Sequence, residues 1–361
     1  MKTKSLLNTN KLKYDPRIKQ GFYSALYFRK TKKILNNQKH YPLTVMQFSF
    51  FDDRPIKLCG IEEIVWLLRK SLTKKQLSQI QVYGYAEGTI IKQNQPVLYL
   101  IGPYEVVCIF ENLIDGILQQ RTSVATNCYQ LLKVINKNEL IYMADRSNSY
   151  LNQPYDGYAA YVGGVRRFVT DASIELIKDP KDCKVTGTMP HALIQQFNGD
   201  LIKALNAFHH SFPNDQLVAL IDYHNNIEQE IIKLAQSNLK NKIFAVRIDT
   251  SKNLVDQSLK QQGIKQNGVN HELICLARRT LNKHGMNKTK IIVSSGMNYE
   301  RIKQFKIQKT PADFYGVGSA LIQSNIHFTA DLVYLNNKQE AKYGRSLFMS
   351  INKIKKLKRL L

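Results

Sequence analysis

Four short apolar runs alternate with amphipathic segments between residues 216 and 319, and this alternation constrains the fold more than any other feature of the chain. The runs are QLVALID (216–222), KIFAVRID (242–249), KIIVSSG (290–296) and DFYGVGS (313–319). Each is too short to be a buried helix and is bounded by polar or glycine residues, so each reads as a strand. The intervening segments NIEQEIIKLAQSNL, HELICLARRTLNKHG and YERIKQF read as helices, and the first sets Ile227, Ile231 and Leu234 on one face. Strands joined through helices must run parallel with right-handed crossovers, which predicts a parallel sheet or an α/β barrel.

In such folds ligands bind at the rim where the strands end. Asp222, Arg247 with Asp249, Ser294 to Gly296, and Gly316 to Ser319 all fall there. Any one of these sets is also what a strand needs simply to turn; together they point to a site. SSGMN and GVGS offer small residues and free amides after a strand, suited to cradling a phosphate. Neither GxxxxGK[ST] nor GxGxxG occurs, which excludes a P-loop mechanism and a dinucleotide fold. In VRID, Arg247 and Asp249 share a strand face, either as a clamp for a polar ring or sugar hydroxyls or as a structural ion pair. In GTMPHALIQQF (187–197), His191 follows Pro190 at the start of a short helix. Asp222, at the end of the next strand, is placed to reach it. A carboxylate on one ring nitrogen fixes the tautomer and frees the other as base or nucleophile.

The first part of the chain mixes elements. LTVMQFSFF (43–51), QVYGYAEGTI (81–90) and PVLYLIGPYEVVCIF (96–110) read as strands. GIEEIVWLLRKSL (60–72) and ENLIDGILQQRTSVATNCYQLLKVI (111–135) read as helices. Residues 145–157 read as a loop, followed by a helix through AAYVGG.

Composition limits function less sharply. The chain carries 52 Lys+Arg against 28 Asp+Glu, a formal net charge of +24, which attracts polyanions and keeps a nucleic-acid-binding protein open as the rival class. The basic residues are spread over the chain, however, with local clusters only at FRKTKK (28–33) and NKIKKLKRLL (352–361), and no aromatic platform interleaves them. The basic start lacks an apolar core for a secretory signal, and no apolar run is long enough to span a bilayer. The five cysteines are scattered without CxxC spacing, which predicts a reduced, cytoplasmic protein without a zinc site.

Taken in order, GTMPHALIQQFNGDLIKALNAF, VALID, AVRID, IIVSSG and DFYGVGS resemble the nicotinate phosphoribosyltransferases, type II phosphoribosyltransferases, in their short bacterial and archaeal forms. The resemblance extends upstream through YAEGT, LIGPYEVVCIFENLIDGILQQRTSVAT and QPYDGYAAYVGG, and downstream to DLVYLNNKQEAKYGRSL. It implies an incomplete α/β barrel (111–325), an N-terminal α/β domain (1–110) and a C-terminal strand with a short basic tail (326–361). It implies formation of nicotinate mononucleotide and pyrophosphate from nicotinate and phosphoribosyl pyrophosphate, in NAD salvage, with ATP as co-substrate and Mg2+ as cofactor. The closest alternative is the nicotinamide-specific reaction. By the same resemblance His191 is the residue phosphorylated by ATP and Asp222 its orienting carboxylate. Tyr27, Arg146, Thr188 and Arg247 would contact nicotinate, Tyr27 from a neighbouring subunit of a homodimer. Asp249 would hold ribose hydroxyls, while Ser295, Gly296, Gly316, Gly318 and Ser319 would bind the 5′-phosphate. Lys342 and Arg345 would reach pyrophosphate from the partner. The chain departs from the family at Ala25, where an aspartate is common, and at Ser147 and Ser149, where an arginine and a histidine are; it also lacks a C-terminal cysteine-rich zinc knuckle.

Overall fold

A computed structural model describes residues 5–92, 95–187 and 189–361. The first strands are β1 (Leu43–Phe50), β2 (Ile56–Lys57), β3 (Gln81–Gly84), β4 (Ile90–Ile91) and β5 (Pro96–Pro103). β1 is covered on both faces. Met46, Phe48 and Phe50 pack with Ile64 and Leu68 of helix Ile61–Ser71 and with Ile114 and Leu118 of helix Glu111–Leu131. On the other face Val45 meets Tyr99, Val333 and Ile354. Each such buried aliphatic or aromatic side chain contributes about 1.5–3 kcal/mol over leaving it in water. Gln47 is also buried, and its amide is satisfied by the backbone of Ser346 (3.0 Å) and Phe348 (3.2 Å).

Seven strands follow: β6 (Leu140–Tyr142), β7 (Arg167–Phe168), β8 (Lys184–Val185), β9 (Leu217–Leu220), β10 (Ile243–Ile248), β11 (Lys290–Val293) and β12 (Phe314–Val317). They form one parallel sheet in the order β8-β7-β6-β12-β11-β10-β9. The pairing of β12 with β6 joins the last strand of the set to the first, so the sheet curls into a barrel. β8 and β9 remain unpaired with each other, and the barrel has an open seam between them. The expected incomplete α/β barrel is therefore the observed one.

The last strands, β13 (Phe328–Leu335) and β14 (Lys358–Arg359), return to the N-terminal sheet, whose antiparallel order is β13-β1-β5-β3-β14. Arg121 ties this region to the barrel, with Nε 2.9 Å from Glu63 Oε2 and Nη1 3.8 Å from Asp156 Oδ1.

The structure departs from the sequence reading in four places. The run 81–90 is two strands, β3 and β4, which belong to different sheets. The apolar run 96–110 is a strand only to Pro103; Tyr104–Val107 is helical and Cys108–Phe110 a 3-10 turn. The presumed loop 145–157 contains the start of helix Gln153–Val162, with Pro154 in its first turn. β6, β7 and β8, with three, two and two residues, were not foreseen.

Candidate active site

A cavity of about 560 Å3 opens at the C-terminal rim of the barrel and is lined by His191, Arg247, Asp249, Asp145 and Arg146. Its floor is apolar: Ile141, Met143, Val169, Leu220 and Ile292 supply a wall for a flat ring.

His191 begins helix His191–Gln196, in the connection that crosses the open seam from β8 to β9. Its Nε2 lies 3.1 Å from Asp222 Oδ1, just past the end of β9. Nδ1 has no partner among the described residues. The Asp222 carboxylate is nearly buried while the imidazole is 43% exposed, so one nitrogen is anchored and the other is available. The hydrogen bond to Asp222 raises the His191 pKa above its ordinary value; the charges of Asp222 and Asp249 act in the same sense, and burial and Arg247 oppose them. The charged imidazole is therefore favoured below the raised value and lost as pH climbs through it. Asp222→Asn is expected to move the His191 midpoint to lower pH, read as the titration of its ring protons by NMR. An unchanged midpoint would mean that the carboxylate does not govern this imidazole.

Arg247 and Asp249 face the cavity on one side of β10, as alternation predicts, with Ile248 fully buried on the other. Arg247 Nη2 donates to Asp249 Oδ2 at 2.8 Å and its Nε to Ser294 Oγ at 3.0 Å, while Ser294 Oγ donates to Asp249 Oδ1 at 2.8 Å. This closed triangle locks the guanidinium plane at the edge of the cavity and couples the ends of β10 and β11. The pair is thus both a structural ion pair and part of the lining.

The two small-residue turns lie beside it. β11 and β12 pair in parallel through Val293 and Tyr315, which sets the Ser294–Gly296 turn next to Gly316. Gly296 has φ +65°, a conformation that disfavours side chains. At Gly318 a Cβ would sit 2.7 Å from Met143 O, so only glycine lets the loop after β12 close against the strand that carries Asp145 and Arg146. Ser319 follows at the start of the 3-10 turn Ser319–Leu321. The loop that carries Asp145 and Arg146 is fastened to helix Gln153–Val162: Gln153 Nε2 donates to Asp145 O at 2.7 Å, and Asn148 Nδ2 donates to Asp156 Oδ2 at 3.1 Å.

Of the candidates, His191, Arg146, Arg247 and Asp249 line the cavity and Asp222 is bonded to His191; Ser295, Gly296, Gly316, Gly318 and Ser319 follow β11 and β12 at the same rim without entering the lining. Three further candidates, on other elements, also lie outside the cavity lining. Tyr27 is 63% exposed on helix Leu26–Asn37. Lys342 is exposed on the loop after β13. Arg345 pairs with Asp331 at 3.1 Å and lies over the Phe51 ring. Thr188 falls outside the described residues. Asp145 and the apolar wall from β6 were missed by the sequence reading; the alternation in LIYMAD (140–145) was their only signal.

Comparisons with known proteins bear on the fold and on the sequence as a whole. Residues 26–122 match the family described as quinolinate phosphoribosyl transferase, N-terminal domain. A nicotinate phosphoribosyltransferase of Mycobacterium tuberculosis is 22% identical over 261 residues, which cover 70% of this chain and 50% of that one. The chain spans about half the length of the curated relatives it matches. Among solved structures, a nicotinate-nucleotide pyrophosphorylase from Pyrococcus furiosus superposes with a TM-score of 0.78 at 28% identity, covering 93% of this chain and 81% of that one. Human nicotinic acid phosphoribosyltransferase gives a TM-score of 0.66 at 14% identity over 90% of this chain and 77% of its own, a likeness of fold.

Proposed function

Because the chain has the fold of the type II phosphoribosyltransferases and is similar in sequence to nicotinate phosphoribosyltransferases, we propose that it joins nicotinate to phosphoribosyl pyrophosphate, releasing pyrophosphate, as a step of NAD salvage. The observation that carries this reading is the single rim on which an Asp222-anchored imidazole and the Arg247–Asp249 pair line a cavity with an apolar floor, while two small-residue turns end the adjoining strands β11 and β12.

In the proposed reaction the C1–pyrophosphate bond breaks as the pyridine nitrogen forms its bond to C1. Positive charge builds on the sugar ring, and negative charge on the leaving group. The Arg247 guanidinium packs on the pyridine ring and Arg146 lies near its carboxylate. Asp249 accepts from the ribose hydroxyls, where its charge also favours the cationic transition state. The amides of the SSG and GVGS turns hold the 5′-phosphate.

Among the described residues no group of three His, Cys, Asp or Glu side chains forms a metal cluster. A Mg2+ ion carried by pyrophosphate needs only one or two protein carboxylates, since phosphates and water complete its shell. Asp145, which lines the cavity and whose side chain has no partner among the described residues, fits that role together with Asp249. The ion would neutralise charge on the leaving group.

ATP enters this reading through His191. Phosphoryl transfer to the free Nδ1 would place negative charge beside the departing pyrophosphate and link ATP cleavage to turnover. Tyr27, Lys342 and Arg345, outside the cavity of their own chain, would serve the site of a second copy, so the active unit would be a homodimer. Comparing product from nicotinate and from nicotinamide, each with and without ATP, tests the substrate. Nicotinate is expected to give mononucleotide, faster with ATP; product from the amide alone would overturn the reading.

A further inference from the structure

The turn that ends β11 is built in an unusual way, and one side chain outside the cavity lining accounts for it. Ser295 and Gly296 both lie in the left-handed region, with φ of +68° and +65°. For serine that conformation is unfavourable, and something must hold it. Arg301, one turn into helix Tyr299–Ile307, supplies the hold. Its Nη1 donates to Ser295 O at 3.0 Å and Gly296 O at 2.8 Å, and its Nη2 donates to Val269 O at 2.5 Å.

Two consequences follow from peptide geometry. In a trans peptide the carbonyl of one residue and the N–H of the next point in opposite directions. Turning the carbonyls of Ser295 and Gly296 toward Arg301 therefore turns the N–H groups of Gly296 and Met297 away from it. Neither of those N–H groups, nor that of Ser295, has a partner among the described residues. Successive unpaired amides in a left-handed turn form a concave anion receptor. The charge behind the turn is also unopposed. Among the described residues no carboxylate pairs with Arg301, whose guanidinium donates to backbone carbonyls, and burial disfavours its charge. An anion on the far side of the turn would supply the missing countercharge.

We infer that Arg301 is a positioning residue: it clamps the Ser295–Gly296 turn from behind, aims its amides at a sugar phosphate and adds a positive field there without touching the ligand. Through Val269 it also ties this turn to the segment that leads into helix His271–Lys283. This inference rests on the proposed sugar-phosphate site and deepens it.

Binding of ribose 5-phosphate, measured by calorimetry, tests it without requiring turnover. Arg301→Met keeps the length and removes both the fork and the charge; it is expected to weaken binding by about tenfold or more, which is about 1.4 kcal/mol. Arg301→Lys keeps the charge but reaches fewer carbonyls, and is expected to bind with intermediate affinity. Turnover should show the same signature, a raised KM for phosphoribosyl pyrophosphate with kcat and the KM for nicotinate little changed. Arg278→Met is the control. That arginine binds Thr289 O and Asp313 at the opposite end of the barrel, so its loss should leave ribose 5-phosphate affinity unchanged. If wild type binds ribose 5-phosphate and Arg301→Met binds it equally, the role of Arg301 falls while the proposed function stands. If Arg301→Met does not fold, wild-type affinity in Arg301→Lys overturns the inference. Equal weakening in Arg278→Met would do so as well, by showing a general effect. If wild type itself does not bind, the sugar-phosphate reading of the site falls first.

Discussion

His191→Ala is expected to lose all protein-bound label from γ-labelled ATP and to remove the stimulation of nucleotide synthesis by ATP, while the protein keeps its fold. Among the described residues only His191 offers the cavity an imidazole nitrogen, and its other nitrogen is committed to Asp222 at 3.1 Å. Deleting the ring leaves Asp222 facing solvent at the rim rather than opening a core cavity, since the imidazole itself is 43% exposed. Its melting temperature should therefore stay within a few degrees of wild type. Label that persists at the wild-type level would refute phosphohistidine formation here. Loss of label with unchanged ATP stimulation would separate coupling from phosphorylation.

The second large effect is expected at Asp249. Replacing it with asparagine preserves size and the hydrogen bond to Ser294, but removes the charge that faces Arg247 at 2.8 Å. The cost should appear in the transition state, where the sugar ring becomes cationic, more than in ground-state binding. Loss of one preorganised electrostatic contact of this kind lowers kcat by about 10²- to 10³-fold. Steady-state kinetics with both substrates varied would check it; a KM effect alone, with kcat intact, would reduce Asp249 to a binding residue.

Much of this site was legible because the strands that carry it have a strong local signature. β9, β10, β11 and β12 are apolar runs of four to six residues, and counting to their ends gives Asp222, Arg247, Asp249 and Ser294 directly. Their neighbours in the barrel leave no such signature. β7 and β8 have two residues each, too few for any period, and their place is fixed by pairing in the sheet. The run 96–110 misleads for another reason: an apolar stretch covered on all sides looks the same whether strand or helix, and only Pro103 marks the change. The clamp by Arg301 was illegible because it acts on backbone atoms, which the sequence does not display. Tyr27, Lys342 and Arg345 were named by the resemblance alone; the single chain leaves them outside the cavity lining, because their proposed work is done on another copy.

The pairing of β1 with β13 brings together segments separated by nearly the whole chain. During synthesis β1 therefore emerges long before its edge partner exists, and β6 likewise waits for β12, whereas β9 to β12 follow one another along the chain. The opening segment of the polypeptide is thus the last to be finished, and until then it presents an uncovered ribbon edge to its surroundings. Both sheets close through long-range pairings, β1 with β13 and β6 with β12, and slow folding is the expectation for this wiring.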